Sequence, residues 1–161
     1  TESVTTESGL SDPFNADLTL AKDFLKIPFM NNIITDQHLQ ERNRIGRTIA
    51  FMARLEHDGW TEQSRAIAAD RETAVHVDPE TGIATVHATV DHETPYAYFM
   101  RSSGKPEHCI PGKPLTFRNV ETYRIGPDGS FNIGEWRGEG GISYTLGAED
   151  GKLVSSRESA Y

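Results

Sequence analysis

The sequence predicts an α+β domain with helices in the first half of the chain and an antiparallel sheet in the second. Apolar residues recur at approximately helical spacing over residues 35–57, and from Thr73 onward they alternate with polar residues as in strands. A chain of 161 residues fits one domain. Residues 1–17 are rich in Thr, Ser, Glu and Asp and have no periodicity. We therefore predict a flexible arm over residues 1–17 and a single domain over residues 18–161.

Helices are predicted in three places. A short one lies between residues 18 and 28, where Pro28 ends or kinks it because proline removes an N–H donor and strains the preceding turn. The longer helix over residues 35–57 has one apolar face. Asp58 and Gly59 end this helix, and a further helix is predicted over residues 61–69. The last two helices are expected to meet at a tight corner.

The second half of the sequence predicts about six antiparallel strands. Residues 73–90 indicate a hairpin whose turn lies at residues 79–82, where the sequence is PETG. An irregular stretch over residues 91–114 follows, with a possible helical turn at residues 96–101. Strong turn signals then separate the strands of a closing meander. The predicted strands of this meander are residues 115–125, 130–138, 142–146 and 152–161.

Composition and charge exclude several classes of partner. The formal net charge of -8 repels a phosphate backbone, and Lys and Arg are scattered along the chain, so we expect no nucleic-acid partner. No apolar run reaches the roughly 20 residues that a membrane helix needs, so we expect a soluble protein with no membrane partner. The single cysteine, Cys109, is typical of a reducing compartment and favours a cytoplasmic location. We interpret it as a loop thiol.

Two segments of the chain have distinctive patterns. The first, residues 56–79, reads EHDGWTEQSRAIAADRETAVHVDP and has a Gly and Asp corner before an apolar helix and a V-x-V strand. The second, residues 149–161, reads EDGKLVSSRESAY and has an Asp-Gly-Lys turn and a strand with an Arg-Glu pair. Together with the order of the predicted elements, they resemble the SnoaL-like polyketide cyclase and ketosteroid isomerase superfamily, and the likeness covers roughly residues 36–161. It implies a cystatin-like cone of the nuclear-transport-factor kind, in which N-terminal helices pack on a strongly curved antiparallel sheet around an apolar pocket.

The resemblance also implies a function. Enzymes of this superfamily are cofactor-independent lyases, cyclases or isomerases that use general acid-base catalysis. Many form homodimers, so we expect a homodimer or a higher homo-oligomer. We therefore expect a small hydrophobic substrate, aromatic or polyketide-like, and no cofactor. Two alternatives stay open: a non-catalytic ligand-binding or oligomerisation module, and the small structural subunit of an aromatic-ring oxygenase. A lipocalin-like fold would suit the meander alone, but the predicted helices argue against it.

Such chemistry requires a base and an oxyanion donor inside a dry cavity, so polar side chains on apolar strand faces are the candidates. Strict alternation would place Asn119 and Glu121 on the face of their strand that carries Phe117 and Tyr123. The predicted substrate-binding residues are Tyr96, Phe117, Asn119, Glu121, Tyr123, Phe131 and Tyr144.

Histidines and carboxylates of the other strands supply the catalytic candidates. His76 and Asp78 are two residues apart and share a strand face, and the V-x-V-D-P context of Asp78 resembles the strand end that bears the base of ketosteroid isomerases. Glu135 and Arg137 have an alternative interpretation as an ion pair at a solvated edge. Zinc-type ligand spacing is absent, so no metal site is predicted. The predicted catalytic residues are His76, Asp78, His92, Glu135 and Arg137.

Overall fold

The computed structural model describes residues 3–22, 26–89 and 95–161. These residues form two helices, α1 (Thr6–Ser11) and α2 (Ile45–His57), and ten strands. The strands are β1 (Ile33–Gln37), β2 (Arg65–Ala69), β3 (Thr73–Val77), β4 (Ile83–Ala88), β5 (Ala97–Ser102), β6 (Phe117–Ile125), β7 (Ser130–Asn132), β8 (Arg137–Glu139), β9 (Ile142–Glu149) and β10 (Lys152–Ser155). Neither helix is long and apolar enough to cross a membrane.

The strands form two separate sheets. The large sheet has the order β1-β2-β5-β6-β9-β10, and the small sheet has the order β3-β4-β7-β8. Every pair is antiparallel except β1 and β2, which are parallel and are connected through α2. A parallel pair needs such a crossover because a tight turn can join only antiparallel strands. The hairpins β3–β4 and β7–β8 leave the large sheet and build the small one.

The large sheet is buried on both faces. On one face, side chains such as Tyr98 and Met100 pack with Ile49 and other residues of α2. On the other face, side chains such as Phe99 pack with Phe131 and other residues of the small sheet. Successive side chains of a strand point to opposite faces, so neighbours in β5 belong to different cores. The protein therefore has three layers: helices, large sheet and small sheet.

The predicted cystatin-like cone is wrong. The helices have only 6 and 13 residues, and two packed sheets take the place of one curved sheet. Residues 65–69 form β2 and not a helix, and residues 97–102 form β5 and not a helical turn. Both strands lie in the middle of the large sheet, and a strand buried on both faces is apolar in a run instead of in alternation. Such a run cannot be distinguished from a buried helix by its periodicity.

The other predicted elements have mixed outcomes. The hairpin with its turn at residues 79–82 is confirmed as β3 and β4. The strand predicted over residues 130–138 is divided by a turn into β7 and β8. The helix predicted over residues 35–57 begins only at Ile45, because residues 33–37 form β1. The helix predicted between residues 18 and 28 is absent from its described parts, and its residues 23–25 lie outside the described ranges.

Helix α1 lies within the segment that the sequence predicts to be a flexible arm, yet it is docked on the domain. Thr5 and Ser8 form a capping box at its start. The side chain of Leu10 is completely buried, and its carbonyl oxygen accepts a hydrogen bond of 2.9 Å from the N–H of Leu115. The hydroxyl of Thr6 accepts one of 3.0 Å from the N–H of Gly46 in α2. This helix is therefore part of the core.

Replacing Leu10 tests this docking. Leu10→Ala removes buried methyl groups and leaves a cavity, so we expect the free energy of unfolding to fall by about 2 to 5 kcal/mol. Ile110→Ala is the control, because Ile110 is 50% exposed and its loss should change stability by less than about 0.5 kcal/mol. Urea denaturation followed by circular dichroism measures both. Equal small effects for the two variants would show that α1 does not contribute to the core.

Candidate functional site

A cleft of about 200 Å³ lies between the large sheet and the small sheet. Strands β5, β6 and β9 supply one wall, and β7, β8 and the turn between them supply the other. We call it the Trp136 cleft, after the indole in that turn. Its lining residues are Phe99, Arg101, Glu121, Thr122, Tyr123, Phe131, Trp136, Arg137, Gly138 and Ser143.

Aromatic rings form the base of the Trp136 cleft. The rings of Phe99 and Phe131 stack with centroids 4.0 Å apart and planes 11° apart, and each residue is only 1% exposed. The Trp136 ring meets Phe131 edge-on at 5.1 Å, with an interplanar angle of 84°. The ring centroid of Tyr123 lies 5.9 Å from that of Phe131, and the two planes are tilted by 46°. Edge-to-face contact, as between Trp136 and Phe131, is one of the favoured aromatic arrangements.

Trp136 has a backbone conformation that is unusual for a large residue. Its φ of 54° lies in the left-handed region, which bulky side chains rarely adopt. The turn around it is held by Asn132, whose Oδ1 accepts a hydrogen bond of 2.9 Å from the N–H of Glu135. Backbone strain of this kind persists where surrounding contacts over-determine it, and it concentrates at functional sites. Here the indole packs on both phenylalanine rings of the base.

Two glycines make room for the Tyr123 ring. A Cβ atom at Gly138 would lie 2.0 Å from Cε1 of Tyr123, and one at Gly141 would lie 2.7 Å from the same atom. The Tyr123 hydroxyl accepts a hydrogen bond of 3.1 Å from the N–H of Gly141. Strand glycines often mark such a close approach. These contacts fix the ring that forms one side of the cleft.

Three arginines surround the aromatic base. Arg65 and Arg101 are direct cross-strand neighbours on β2 and β5, and like charges in that position destabilise a sheet. The Arg65 guanidinium lies 4.8 Å from the centre of the Trp136 ring, a cation–π contact. Arg101 pairs with Glu121 on β6, with 3.1 Å between Nε and Oε2. Arg137 lines the cleft from β8.

The rim has an excess of positive charge. Within the described ranges, neither Arg65 nor Arg137 has a carboxylate within ion-pair distance. Glu121 is the single acidic residue among the lining residues. Glu135 and Glu139 line a neighbouring depression with Arg137. Because Glu121 pairs with Arg101, the unpaired positive charge at the cleft belongs to Arg65 and Arg137, in a chain whose formal net charge is -8. This local reversal of sign would attract an anion.

The structure brings four of the predicted site residues together at the Trp136 cleft. They are Glu121, Tyr123, Phe131 and Arg137. The first two are on β6 and the others are on β7 and β8, so the cleft depends on pairing between elements distant in sequence. Phe131 contributes to the base, Tyr123 to one side, and the two charged residues to the rim.

A β-bulge in β6 moves other predicted residues away from the cleft. The register shifts between Phe117 and Val120, and Asn119 has a φ of 58° within this bulge. An extra residue reverses the alternation, so Phe117 faces the helices while Glu121 faces the small sheet. Tyr144 also packs on the helix side, and its hydroxyl donates a hydrogen bond of 2.9 Å to the carbonyl of Ala160.

Tyr96 belongs to the helix side as well. It packs against the same core cluster, and the guanidinium of Arg124 lies 4.0 Å from its ring centre. Tyr96, Phe117 and Tyr144 are therefore separated from the Trp136 cleft by the large sheet. These three aromatics do not share a pocket with Glu121. For Phe117 the reason is the bulge in β6, which breaks the alternation that the prediction assumed.

The predicted catalytic residues that the structure describes do not converge. His76 is exposed on the outer face of the small sheet, and Glu135 is exposed in the β7–β8 turn. Asp78 accepts hydrogen bonds from the backbone N–H groups of Thr81 and Glu80, at 2.8 and 2.9 Å. These bonds lower the pKa of Asp78, so its carboxylate stabilises the hairpin turn. His92 lies outside the described residues.

Cys109 lies outside the helices and strands, in agreement with its interpretation as a loop thiol. It is 6% exposed, and burial raises its pKa to about 11. The reactive thiolate is therefore scarce at neutral pH.

Sequence reasoning missed Arg65 and Arg101, and it did not select Phe99 or Trp136 as site residues. The two arginines meet only because β2 pairs with β5, and both segments were interpreted as helical. The apolar run AYFM at residues 97–100 is a signal that could have revealed β5 as a strand buried on both faces. Trp136 was treated as part of a continuous strand, but the neighbouring Gly134 and the NIGEW sequence are compatible with a turn.

Comparisons of the chain with protein-family models, curated proteins and solved structures found no match. The resemblance to SnoaL-like proteins therefore stays a prediction, and the cone that it implied is wrong. No group of three or more His, Cys, Asp or Glu side chains suited to a metal ion occurs in the part of the chain that the structure describes. The features that can bind a ligand at the cleft are thus its rings and its guanidinium groups.

Enlarging Gly138 tests the construction of the cleft. In Gly138→Ala the new methyl group overlaps the Tyr123 ring, so we expect a loss of about 1 to 3 kcal/mol of stability and a displaced ring. Gly104→Ala is the matched control, because nothing lies within 4 Å of a Cβ at that position. Thermal unfolding and the NMR shifts of the Tyr123 ring protons report the two effects. A Gly138→Ala variant as stable as the control, with unchanged Tyr123 shifts, would contradict this geometry.

Proposed function

We propose that this protein binds a small ligand that has a flat apolar body and an anionic group, and that the Trp136 cleft is the binding site. The observation that supports it most directly is the set of three guanidinium groups around an aromatic base in an acidic chain. The proposal corresponds to the non-catalytic binding alternative that the sequence left open.

The size of the cleft favours a small ligand. Pockets for drug-sized molecules have volumes on the order of 300 to 1,000 Å³, and this cleft has about 200 Å³. A body of one or two fused rings is therefore the expected size. Its faces would contact the Trp136 and Tyr123 rings, which have larger exposed fractions than the buried Phe99 and Phe131.

The arginines supply the recognition of charge. A guanidinium group can donate two parallel hydrogen bonds to a carboxylate, which gives both affinity and orientation. Elsewhere in the protein, Arg54 pairs with Asp58 and Arg118 pairs with Glu149. Several arginines have no carboxylate partner among the described residues, namely Arg42, Arg44, Arg65, Arg124, Arg137 and Arg157. Of these, Arg65 and Arg137 are the two that lie at the cleft. An anionic ligand would provide that missing partner and would relieve the repulsion between Arg65 and Arg101.

Acid-base catalysis stays a prediction, and the geometry favours binding over it. A catalytic base must reach the substrate, and Glu121 is the only carboxylate among the cleft residues that the structure describes. This carboxylate is held by Arg101 and also accepts a hydrogen bond of 3.3 Å from the Ser103 hydroxyl. Homodimer formation and the oxygenase-subunit alternative likewise stay predictions.

Calorimetric titration with two matched probes tests the proposed function. We expect 2-naphthoate to bind at least about tenfold more tightly than uncharged 2-naphthalenemethanol, because a charge-assisted hydrogen bond is worth about 1.5 to 3 kcal/mol. Arg65→Gln and Arg137→Gln should each remove most of this difference. Arg71→Gln is the control, because Arg71 pairs with Glu41 and Glu72 away from the cleft.

The location of binding is measured separately by NMR. The chain has two tryptophans, so a Trp60→Phe variant identifies the indole N–H signal of Trp136. That signal should shift on addition of 2-naphthoate, since the indole lines the cleft. Equal affinity for 2-naphthoate and 2-naphthalenemethanol would overturn the proposed function. So would an affinity for 2-naphthoate that neither Arg65→Gln nor Arg137→Gln changes.

A further inference from the structure

Two histidines face solvent side by side on the outer face of the small sheet. His76 is on β3 and His87 is on β4, and both are exposed. Their ring centroids are 6.1 Å apart, with an interplanar angle of 86°. The alternate residues Val75 and Val86 pack in the core between the sheets. The backbone beneath the two imidazoles is therefore anchored, while the rings themselves have room to rotate.

The strand register explains why the two rings meet. His76 is directly opposite Thr85, and His87 is directly opposite Ala74. The histidines are thus diagonal neighbours, a relation that lies within reach of ring-sized side chains. The small side chain of Ala74 leaves open the space into which the His87 ring can lean.

Thr85 provides a third feature of this cluster. Its hydroxyl lies 3.1 Å from Nε2 of His87, which is hydrogen-bonding distance. Histidines that ligate a metal through one ring nitrogen almost always hydrogen-bond through the other, and this bond orients the ring. The contact with Thr85 leaves Nδ1 of His87 as the ligating atom. Asp78 adds rigidity, because its carboxylate closes the hairpin turn next to His76.

We propose that His76 and His87 together bind one divalent transition-metal ion. Neutral imidazole is a preferred ligand of Cu²⁺, Ni²⁺ and Zn²⁺, and water can complete the coordination of an exposed ion. With metal–nitrogen distances of about 2.0 to 2.1 Å, the two ring centroids would be roughly 5 Å apart, so an approach of about 1 Å is needed. Rotation of exposed side chains supplies a movement of that size. This site is independent of the Trp136 cleft.

Metal titration of the full chain without an affinity tag tests the proposal. We expect one ion to bind per chain, with Cu²⁺ bound more tightly than Ni²⁺ or Zn²⁺. His76→Gln and His87→Gln should each weaken binding by at least about tenfold, because each removes one of two protein ligands. His108→Gln is the matched control, since His108 is also exposed but lies in an isolated bridge with Thr116. Circular dichroism verifies that all three variants keep their strands.

Electron paramagnetic resonance of the Cu²⁺ complex supplies a second measurement. The spectrum of the wild-type protein should show coupling of Cu²⁺ to two imidazole nitrogens. The spectra of His76→Gln and His87→Gln should each show coupling to one. Absence of saturable binding at millimolar metal would overturn the proposal. So would binding that both substitutions leave unchanged, because the ion would then be held by other groups.

Discussion

The stacking of Phe99 on Phe131 is the contact on which the arrangement of the two sheets depends. Phe99 comes from the middle of the large sheet and Phe131 from the small sheet, and both are almost fully buried. Trp136 and Tyr123 then pack on this pair and shape the cleft. The rings that join the layers are thus the rings that form the base of the candidate site. Stability and the proposed binding therefore depend on the same side chains.

The charged residues are arranged differently on the two faces of the large sheet. On the helix side, Asp36 accepts hydrogen bonds from Arg47 and from the Thr48 hydroxyl, and these bonds connect β1 to α2. At the cleft, the pairing of β2 with β5 brings Arg65 beside Arg101, and Glu121 is the one carboxylate among the lining residues. Like charges that a fold holds close together raise its free energy. Binding of an anion at the cleft would lower it again.

Prediction from the sequence succeeded where local patterns determine the structure. The hairpin at residues 79–82 followed from turn residues and alternation, and Glu121 and Tyr123 were correctly grouped because they lie after the bulge in β6. Strands β2 and β5 were missed because both of their faces are apolar. Phe117 was placed on the wrong face because one extra residue reverses the alternation. The neighbouring positions of Arg65 and Arg101 come from long-range pairing, which no local window of sequence contains.

Short connecting segments between the two sheets limit how far the sheets can separate. Residues 70–72 lead from the large sheet to the small one, residues 126–129 do so again, and residues 140–141 lead back. Connections of two to four residues keep the strands that they join close together. A narrow cleft held in this way would discriminate among molecules by thickness: a planar ring would enter, and a branched saturated group of the same volume would not.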